Sequence, residues 1–103
     1  MAAQLYMIVE HFQDTRAVYE RFRERGRMAP NGLEYIASWV DDRHERCFQL
    51  METTDRALLD EWMANWNDLV VFEVYPVMTS QRAAETIAGT GGAEVRTFVK
   101  PSH

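Results

Sequence analysis

The stretch RCFQLMETTDRALLDEWMANW, residues 46–66, decides the fold. Residues 46–52 alternate between two sets of side chains, which is typical of a strand with two distinct faces. Thr-Thr-Asp at residues 53–55 interrupts this alternation. Beyond it, large apolar side chains recur every three or four positions and predict a helix with one apolar stripe: Leu58, Leu59, Trp62, Met63 and Trp66. Since that stripe needs a sheet to pack on, we predict an α+β domain.

The same two periodicities predict the remaining elements. In chain order they are a strand over residues 4–12, a helix from Asp14 or Thr15 to Gly26 or Ala29, a strand over 33–40, a polar hairpin turn over 41–45, a strand over 69–77, and a short helix over 81–88 that stops at Gly89. The hairpin makes strands two and three antiparallel neighbours. We expect residues 1–88 to form a single domain and residues 89–103 a flexible C-terminal tail, with a short strand at 95–99 as the alternative.

This order of elements predicts a ferredoxin-like βαββαβ sheet with an extra C-terminal helix, in which strands one and three are central and both main helices cover one face. The face assigned to the helices holds Leu5, Met7, Val9, Ile36, Val40, Phe48, Leu50, Val70, Phe72 and Val74. The opposite face then holds Tyr6, Ile8, Glu10, Tyr35, Ala37, Trp39, Cys47, Gln49, Met51, Val71, Glu73, Tyr75 and Val77. Because that second face is too apolar to meet water, we expect a second copy to cover it, giving a homodimer.

Composition limits the classes of partner. The 103 residues carry 11 basic and 16 acidic side chains, a net charge of −5, which argues against a nucleic-acid or anionic-membrane surface. Residues 14–29 are locally basic, with five arginines against three carboxylates. Most of these charges are three or four positions apart and can pair along one helix, so a solvated helix face is favoured over a phosphate-binding patch.

The compartment is inferred from two features. No basic n-region or long apolar segment precedes the first strand, so we expect a soluble, cytoplasmic protein with no membrane contact. Cys47 is the single cysteine, which excludes an internal disulfide. Its position within a strand favours a buried, inert thiol over a nucleophile.

Three segments between Tyr19 and Ser80 resemble a known family: YERFRERGRMAPNGLEYIASWV, RCFQLMETTD and WNDLVVFEVYPVMTS. The family is a group of small bacterial proteins known as domain of unknown function 3303. The resemblance implies a compact α+β fold of the dimeric α/β-barrel type, but it supplies no reaction and no catalytic residue. Proteins of that wider type include cofactor-independent monooxygenases, isomerases and haem-degrading enzymes, and assigning any of these chemistries here is an analogy at the level of the fold.

Two carboxylates are predicted on the otherwise apolar helix-free face, Glu10 and Glu73, on adjacent strands. The hypothesis is that they form a proton-handling pair, because burial and mutual repulsion raise the pKa of such groups. His11 follows Glu10 and is a candidate proton shuttle. The residues expected to bind a ligand around them are Tyr6, Tyr35, Trp39, Gln49, Met51 and Tyr75. The alternative is that both carboxylates form hydrogen bonds at the rim of a dimer and that the histidine is a surface or capping residue.

Other chemistries lack a motif. No set of His, Cys, Asp and Glu has metal-ligand spacing, and the glycines at 89, 91 and 92 follow a helix instead of opening one, so we expect no metal and no cofactor. The RNA-recognition fold has the same element order, but strand three offers only Phe48 for stacking and the net charge is negative. Trp62 and Trp66 are interpreted as core residues and not as a ligand box.

These observations favour a homodimer that binds a small hydrophobic or aromatic molecule between sheet and helices. Its activity would be that of a cofactor-independent isomerase or monooxygenase-like enzyme, with Glu10, Glu73 or His11 handling protons. The alternative is a non-catalytic dimeric interaction module. A leftover cavity distinguishes the two, because a binder needs one and an interaction module does not.

Overall fold

The computed structural model describes residues 2–91, which form one four-stranded antiparallel sheet and three helices. The α+β class is thereby confirmed. The strand order is β2-β3-β1-β4, so β3 and β1 lie in the centre. The elements are β1 Gln4–Phe12, α1 Thr15–Arg25, β2 Glu34–Val40, β3 Arg46–Thr53, α2 Arg56–Ala64, β4 Val70–Val77 and α3 Ser80–Gly91.

The first two helices begin at aspartates that accept backbone hydrogen bonds. Asp14 accepts from the N–H of Ala17 at 3.1 Å, and Asp55 accepts from the N–H of Ala57 at 3.0 Å. Helix α1 ends before Gly26, whose φ of 70° lies in the left-handed region that favours glycine. Helix α2 ends at Ala64, so the predicted stripe continues into the turn that follows the helix.

The two helices α1 and α2 cover the face of the sheet that we call the helix side. Ile8 and Met51 have no exposed surface there, and Trp62 of α2 is 2% exposed. Both tryptophans of the α2 stripe belong to this core, which confirms their interpretation as core residues. On β1, β3 and β4 the residues on the helix side include Tyr6, Ile8, Glu10, Phe12, Cys47, Gln49, Met51, Thr53, Val70, Phe72 and Val74.

For β1 and β3 the predicted assignment of faces is wrong. Leu5, Met7, Val9, Phe48 and Leu50 were expected under the helices, but the register places them on the opposite, helix-free face. Both alternating sets on these strands are rich in apolar residues, so alternation identifies the two faces without deciding which one is covered. For β4 the assignment is correct.

A β-bulge changes the faces along β2. The register shifts between Tyr35 and Ala37, so Tyr35 lies on the helix side beside Met51 while Trp39 lies on the helix-free face beside Phe48. The prediction that Tyr35 and Trp39 share one face is therefore wrong. One inserted residue reverses the alternation of everything beyond it.

The C-terminal helix is longer than expected. It runs through Gly89 to Gly91, whereas the sequence pattern predicted its end at Ala88. A single glycine inside a helix costs about 1 kcal/mol relative to alanine and does not by itself end the helix. Of the flexible tail predicted over residues 89–103, residues 89–91 belong to α3 instead, while residues 92–103 and the alternative strand at 95–99 lie outside the described residues.

Candidate functional site

A pocket of about 170 Å³ lies between α1 and the helix side of the sheet; we call it the α1 pocket. Its walls are mainly apolar and include several aromatic rings, among them Tyr19 and Phe22 from α1 and Trp62 from α2. Polar groups enter from the sheet and from the segment after α1. A cavity of about 150 Å³ lined by apolar side chains binds benzene in another protein, so this pocket has room for a molecule of about one ring.

Glu10 lies at this pocket and is 8% exposed. It comes from the central strand β1, where its side chain points toward the helices between Ile8 and Phe12. Burial raises the pKa of Glu10 from 4.5 to about 7, while the hydrogen bond from Gln49 and the charge of Arg27 act in the opposite direction. At neutral pH this carboxyl group is therefore present in both protonation states.

Gln49 links the carboxyl group to a cation. Its Nε2 donates to Oε2 of Glu10 at 2.5 Å, and its Oε1 accepts from Nε of Arg27 at 2.7 Å. Gln49 is 3% exposed, so both of its polar atoms are used inside the protein. Within residues 2–91 the hydrogen bond of Glu10 uses Oε2, and no hydrogen bond to Oε1 is seen.

Arg27 is held in place through its main chain. The indole N–H groups of Trp62 and Trp66 both donate to the carbonyl oxygen of Arg27, each at 3.0 Å. The guanidinium group lies 3.8 Å from the ring centroid of Tyr35 and 5.3 Å from that of Phe22. The positive charge at the pocket is thus fixed by two core side chains and two aromatic rings.

Cys47 also borders the pocket and is 8% exposed. Burial raises the pKa of its thiol to about 12, with a further contribution from the charge of Glu10 and an opposing one from Arg27. The thiol is therefore neutral at physiological pH, which agrees with the prediction of a buried, inert group.

A second polar cluster lies on the other side of the sheet. His11 Nε2 is 2.5 Å from Oε2 of Glu73, and the hydroxyl group of Tyr75 donates to Oε1 of the same carboxylate. The hydrogen bond from Tyr75, and then that from His11, lower the pKa of Glu73. The lowered pKa favours the ionised carboxylate, and each of its oxygens has one hydrogen-bond partner within the chain.

The predicted pairing of Glu10 with Glu73 is wrong. Glu10 lies opposite Phe72 and Glu73 lies opposite Val9, so the two carboxylates point to opposite faces of the sheet. Glu10 is hydrogen-bonded to Gln49 and its pKa is raised, whereas Glu73 is hydrogen-bonded to Tyr75 and His11 and its pKa is lowered.

The comparison with protein families gives one result for this chain. A family model described as "Domain of unknown function (DUF3303)" matches residues 4–91. The chain belongs to the DUF3303 family. The match begins at the first residue of β1 and ends at the last residue of α3, and so extends beyond the segments from Tyr19 to Ser80 that carry the resemblance. No curated protein and no solved structure matches this chain.

The residues expected to bind a ligand are separated in this DUF3303 chain. Of that set, Gln49 borders the α1 pocket. Met51 is fully buried in the core, whereas Trp39 and Tyr75 lie on the helix-free face. Tyr6 is on the helix side near Arg56, whose guanidinium carbon is 5.8 Å from its ring centroid, and Tyr35 stacks on the guanidinium group of the pocket arginine. The single cavity predicted for these side chains therefore does not form.

Arg27 is the main residue that the sequence analysis missed. It was grouped with the solvated arginines of α1, yet it follows the helix and turns back to the sheet. Its position after Gly26 was the available signal, because a glycine after a helix changes the direction of the chain. Arg21, from the same group, pairs with Asp68 at 2.7 Å instead of with a neighbour on its own helix.

Two further properties concern metals and membranes. Within residues 2–91, no group of three or more His, Cys, Asp and Glu side chains is arranged to hold a metal ion. Among the described helices, none is long and apolar enough to cross a membrane.

Proposed function

We propose that this DUF3303 domain binds a flat, largely apolar molecule of about one ring in the α1 pocket and exchanges a proton with it through Glu10. The observation that carries the proposal is the buried carboxyl group beside an aromatic pocket, oriented by Gln49 through one oxygen only. A polar group buried at this cost normally has a partner for both of its oxygens or a chemical role. Its pKa of about 7 suits a general acid and base at neutral pH.

The reaction that fits these groups best is a proton shift in an unsaturated carbonyl compound. Glu10 takes a proton from a carbon next to the carbonyl group and returns it to another carbon, while the double bond moves between them. One C–H bond breaks and one forms, so the step needs no cofactor and no oxidant. Arg27 supplies a fixed positive charge for the enolate oxygen of the intermediate. A monooxygenase-like reaction is the other chemistry, and it would need dioxygen as a co-reactant.

The test uses phenol and 2-cyclohexenone as probes of one-ring size. In ¹H–¹⁵N NMR spectra, each probe is expected to shift the indole signals of Trp62 and Trp66, which border the pocket. The binding constant should change between pH 6 and pH 8 in the wild type and should lose this dependence in Glu10→Gln. Deuterium should also enter cyclohexenone from heavy water faster with the wild type than with that variant.

The matched control for this test is Glu73→Gln, which makes the same isosteric change on the other face of the sheet. It is expected to bind both probes as the wild type does and to keep the pH dependence. The proposal fails if millimolar phenol and cyclohexenone leave both indole signals unmoved, or if Glu10→Gln and Glu73→Gln behave alike.

A second function is favoured by the helix-free face: dimerisation, as a ferredoxin-like domain of the dimeric α/β-barrel type. Trp39 is 55% exposed, Val71 50% and Tyr75 48% in the single chain. An apolar face of this kind supports a homodimer in which the two sheets pack face to face. Sedimentation equilibrium tests it: a mass of two chains is expected at micromolar concentration, and a single chain at all concentrations contradicts it.

We also place the protein in the cytoplasm, where the free thiol of Cys47 would stay reduced.

A further inference from the structure

Arg27 has no ion-pair partner among the described residues, although it lies at the α1 pocket. Its Nε donates a hydrogen bond to the neutral amide of Gln49 at 2.7 Å. Three other arginines differ in this respect, because Arg21, Arg46 and Arg56 each form an ion pair with an aspartate. The positive charge at the pocket is therefore not neutralised by an ion pair within the described part of the chain.

The orientation of this guanidinium group is fixed from two directions. The ring centroid of Tyr35 lies 3.8 Å from its central carbon, and that of Phe22 lies 5.3 Å away. Gln49 holds Nε. An arginine donates hydrogen bonds in the plane of its guanidinium group, and its two terminal nitrogens, Nη1 and Nη2, match the two oxygens of a carboxylate.

Glu10 decides the net charge of the pocket near neutral pH. Two other titratable side chains line the pocket beside Arg27, namely Cys47 from β3 and Tyr19 from α1. Burial raises the pKa of the thiol to about 12 and also raises the pKa of the tyrosine, so both groups are neutral. His11, the neighbour of Glu10 in sequence, pairs with a carboxylate on the other face of the sheet. The pocket is thus positively charged while Glu10 is protonated and becomes neutral overall when Glu10 ionises.

We infer that the molecule bound in the α1 pocket carries a carboxylate, which the guanidinium group of Arg27 binds through its two terminal nitrogens. This inference rests on the proposed function and narrows its substrate to unsaturated carbonyl compounds that are also carboxylic acids. A half-buried positive charge among aromatic rings is matched best by an anion. A carboxylate bonded to the carbonyl carbon would bring both oxygen-bearing groups to the same guanidinium group, so Arg27 keeps its role toward the enolate oxygen.

Benzoate and benzamide test the charge of the ligand. The two molecules have the same ring and nearly the same shape, but the amide is neutral. Binding is followed at pH 6 by the indole signals of Trp62 and Trp66, which border the pocket. The Kd for benzoate is expected to lie at least roughly tenfold below that for benzamide, because hydrogen bonds between charged groups are the stronger ones.

Two variants show which cation is responsible. Arg27→Gln should bring the two Kd values together. Its fold should be retained, because Trp62 and Trp66 bind the main-chain carbonyl oxygen at this position and not the side chain. Arg23→Gln is the matched control, since it removes the same charge from an exposed position on α1 and should keep the preference for benzoate.

The affinity for benzoate should also fall as the pH rises. The ionised carboxylate of Glu10 repels an anion, so the protein with protonated Glu10 is the form that binds benzoate. With a pKa of about 7, the fraction of this form falls between pH 6 and pH 8, and the Kd should rise roughly tenfold. In Glu10→Gln the Kd should be the same at both pH values. A wild-type Kd that stays constant would overturn the inference, because the charge of the pocket would then not depend on Glu10.

The outcomes separate this inference from the proposed function. If phenol and cyclohexenone bind but benzoate binds no better than benzamide, or if Arg27→Gln keeps the preference, the carboxylate is overturned and the proposed function stands. If none of the four probes moves the indole signals, both fail. A preference for benzoate that is lost in Arg27→Gln and kept in Arg23→Gln supports the inference, and circular dichroism of each variant shows that it is folded.

Discussion

Gln49 donates a hydrogen bond of 2.5 Å to Oε2 of Glu10, and both side chains are almost fully buried between the sheet and α1. The amide thereby fixes the orientation of a carboxyl group on the central strand β1. Its other end is held by Arg27, so three side chains form one chain of hydrogen bonds beside the aromatic pocket. The properties of Glu10 give the sharpest predictions.

Stability should fall with rising pH because of Glu10. Its folded-state pKa of about 7 lies above the unfolded value of 4.5, so the folded state binds the extra proton in this range. The free energy of unfolding is therefore highest below pH 4.5, where Glu10 is protonated in both states. It falls between pH 4.5 and 7 and is lower by about 3 kcal/mol above pH 7. Glu10→Gln should remove this slope in urea unfolding measured from pH 5 to 8. Glu61→Gln, at an exposed site, should keep it, and an equal slope in all three proteins would contradict the assignment.

Arg27 should hold the pKa of Glu10 down. Its positive charge favours the ionised carboxylate, so Arg27→Gln should move the midpoint of the Glu10 titration above 7. The control is Arg21→Gln, since Arg21 pairs with Asp68 on the surface and should not affect this carboxyl group. A midpoint that stays in place or falls in Arg27→Gln would show that the guanidinium group does not act on Glu10.

The thiol of Cys47 should be unreactive in the folded protein. Its pKa of about 12 leaves little thiolate at pH 8, and its side chain is buried. We expect its reaction with 5,5′-dithiobis(2-nitrobenzoate) to be at least roughly 100-fold slower in buffer than in concentrated urea. A chain with Thr54→Cys and Cys47→Ser carries an exposed thiol instead and should react quickly in both solvents. Equal rates for the wild type in both would refute the burial of Cys47.

Gly26→Ala should destabilise the fold by about 1 kcal/mol. Nothing lies within 4 Å of the added Cβ atom, so the cost comes from the φ of 70°, which an L side chain rarely adopts. Gly89→Ala is the matched control, because Gly89 also has open space but lies inside α3. There alanine should leave stability unchanged or raise it. The free energy of unfolding of Gly26→Ala should therefore be lower than that of Gly89→Ala by at least about 1 kcal/mol. Equal values for the two variants would contradict the strain assigned to Gly26.

Much of the fold could be predicted from periodicity. The bounds of β1 agree with the alternation from Gln4 to Phe12, and the helix-side positions of Val70, Phe72 and Val74 on β4 are correct. These signals are local, since each depends on a few residues within one element. The aspartates before α1 and α2 are equally local, because each acts on an N–H group two or three residues away.

The site could not be predicted in the same way, because its formation depends on which face of β1 is covered. The sequence pattern predicts that Glu10 shares a face with Glu73. In the structure the faces of β1 are the reverse of those predicted, so the two carboxylates lie on opposite sides of the sheet. The Ile36 bulge could not be located from alternation, since apolar residues flank it on both sides. The role of Arg27 depends on two indole groups, from Trp62 and Trp66, that lie more than 30 residues further along the chain.

The measurement that tests this account most directly is an NMR titration of the Glu10 side-chain carboxyl carbon in the folded wild-type protein. A midpoint near pH 7 is expected, because the group is buried beside the α1 pocket and its ionised form is poorly solvated. A midpoint near 4.5 would mean that water reaches this carboxyl group, and it would contradict both the buried site and the proton exchange proposed for it.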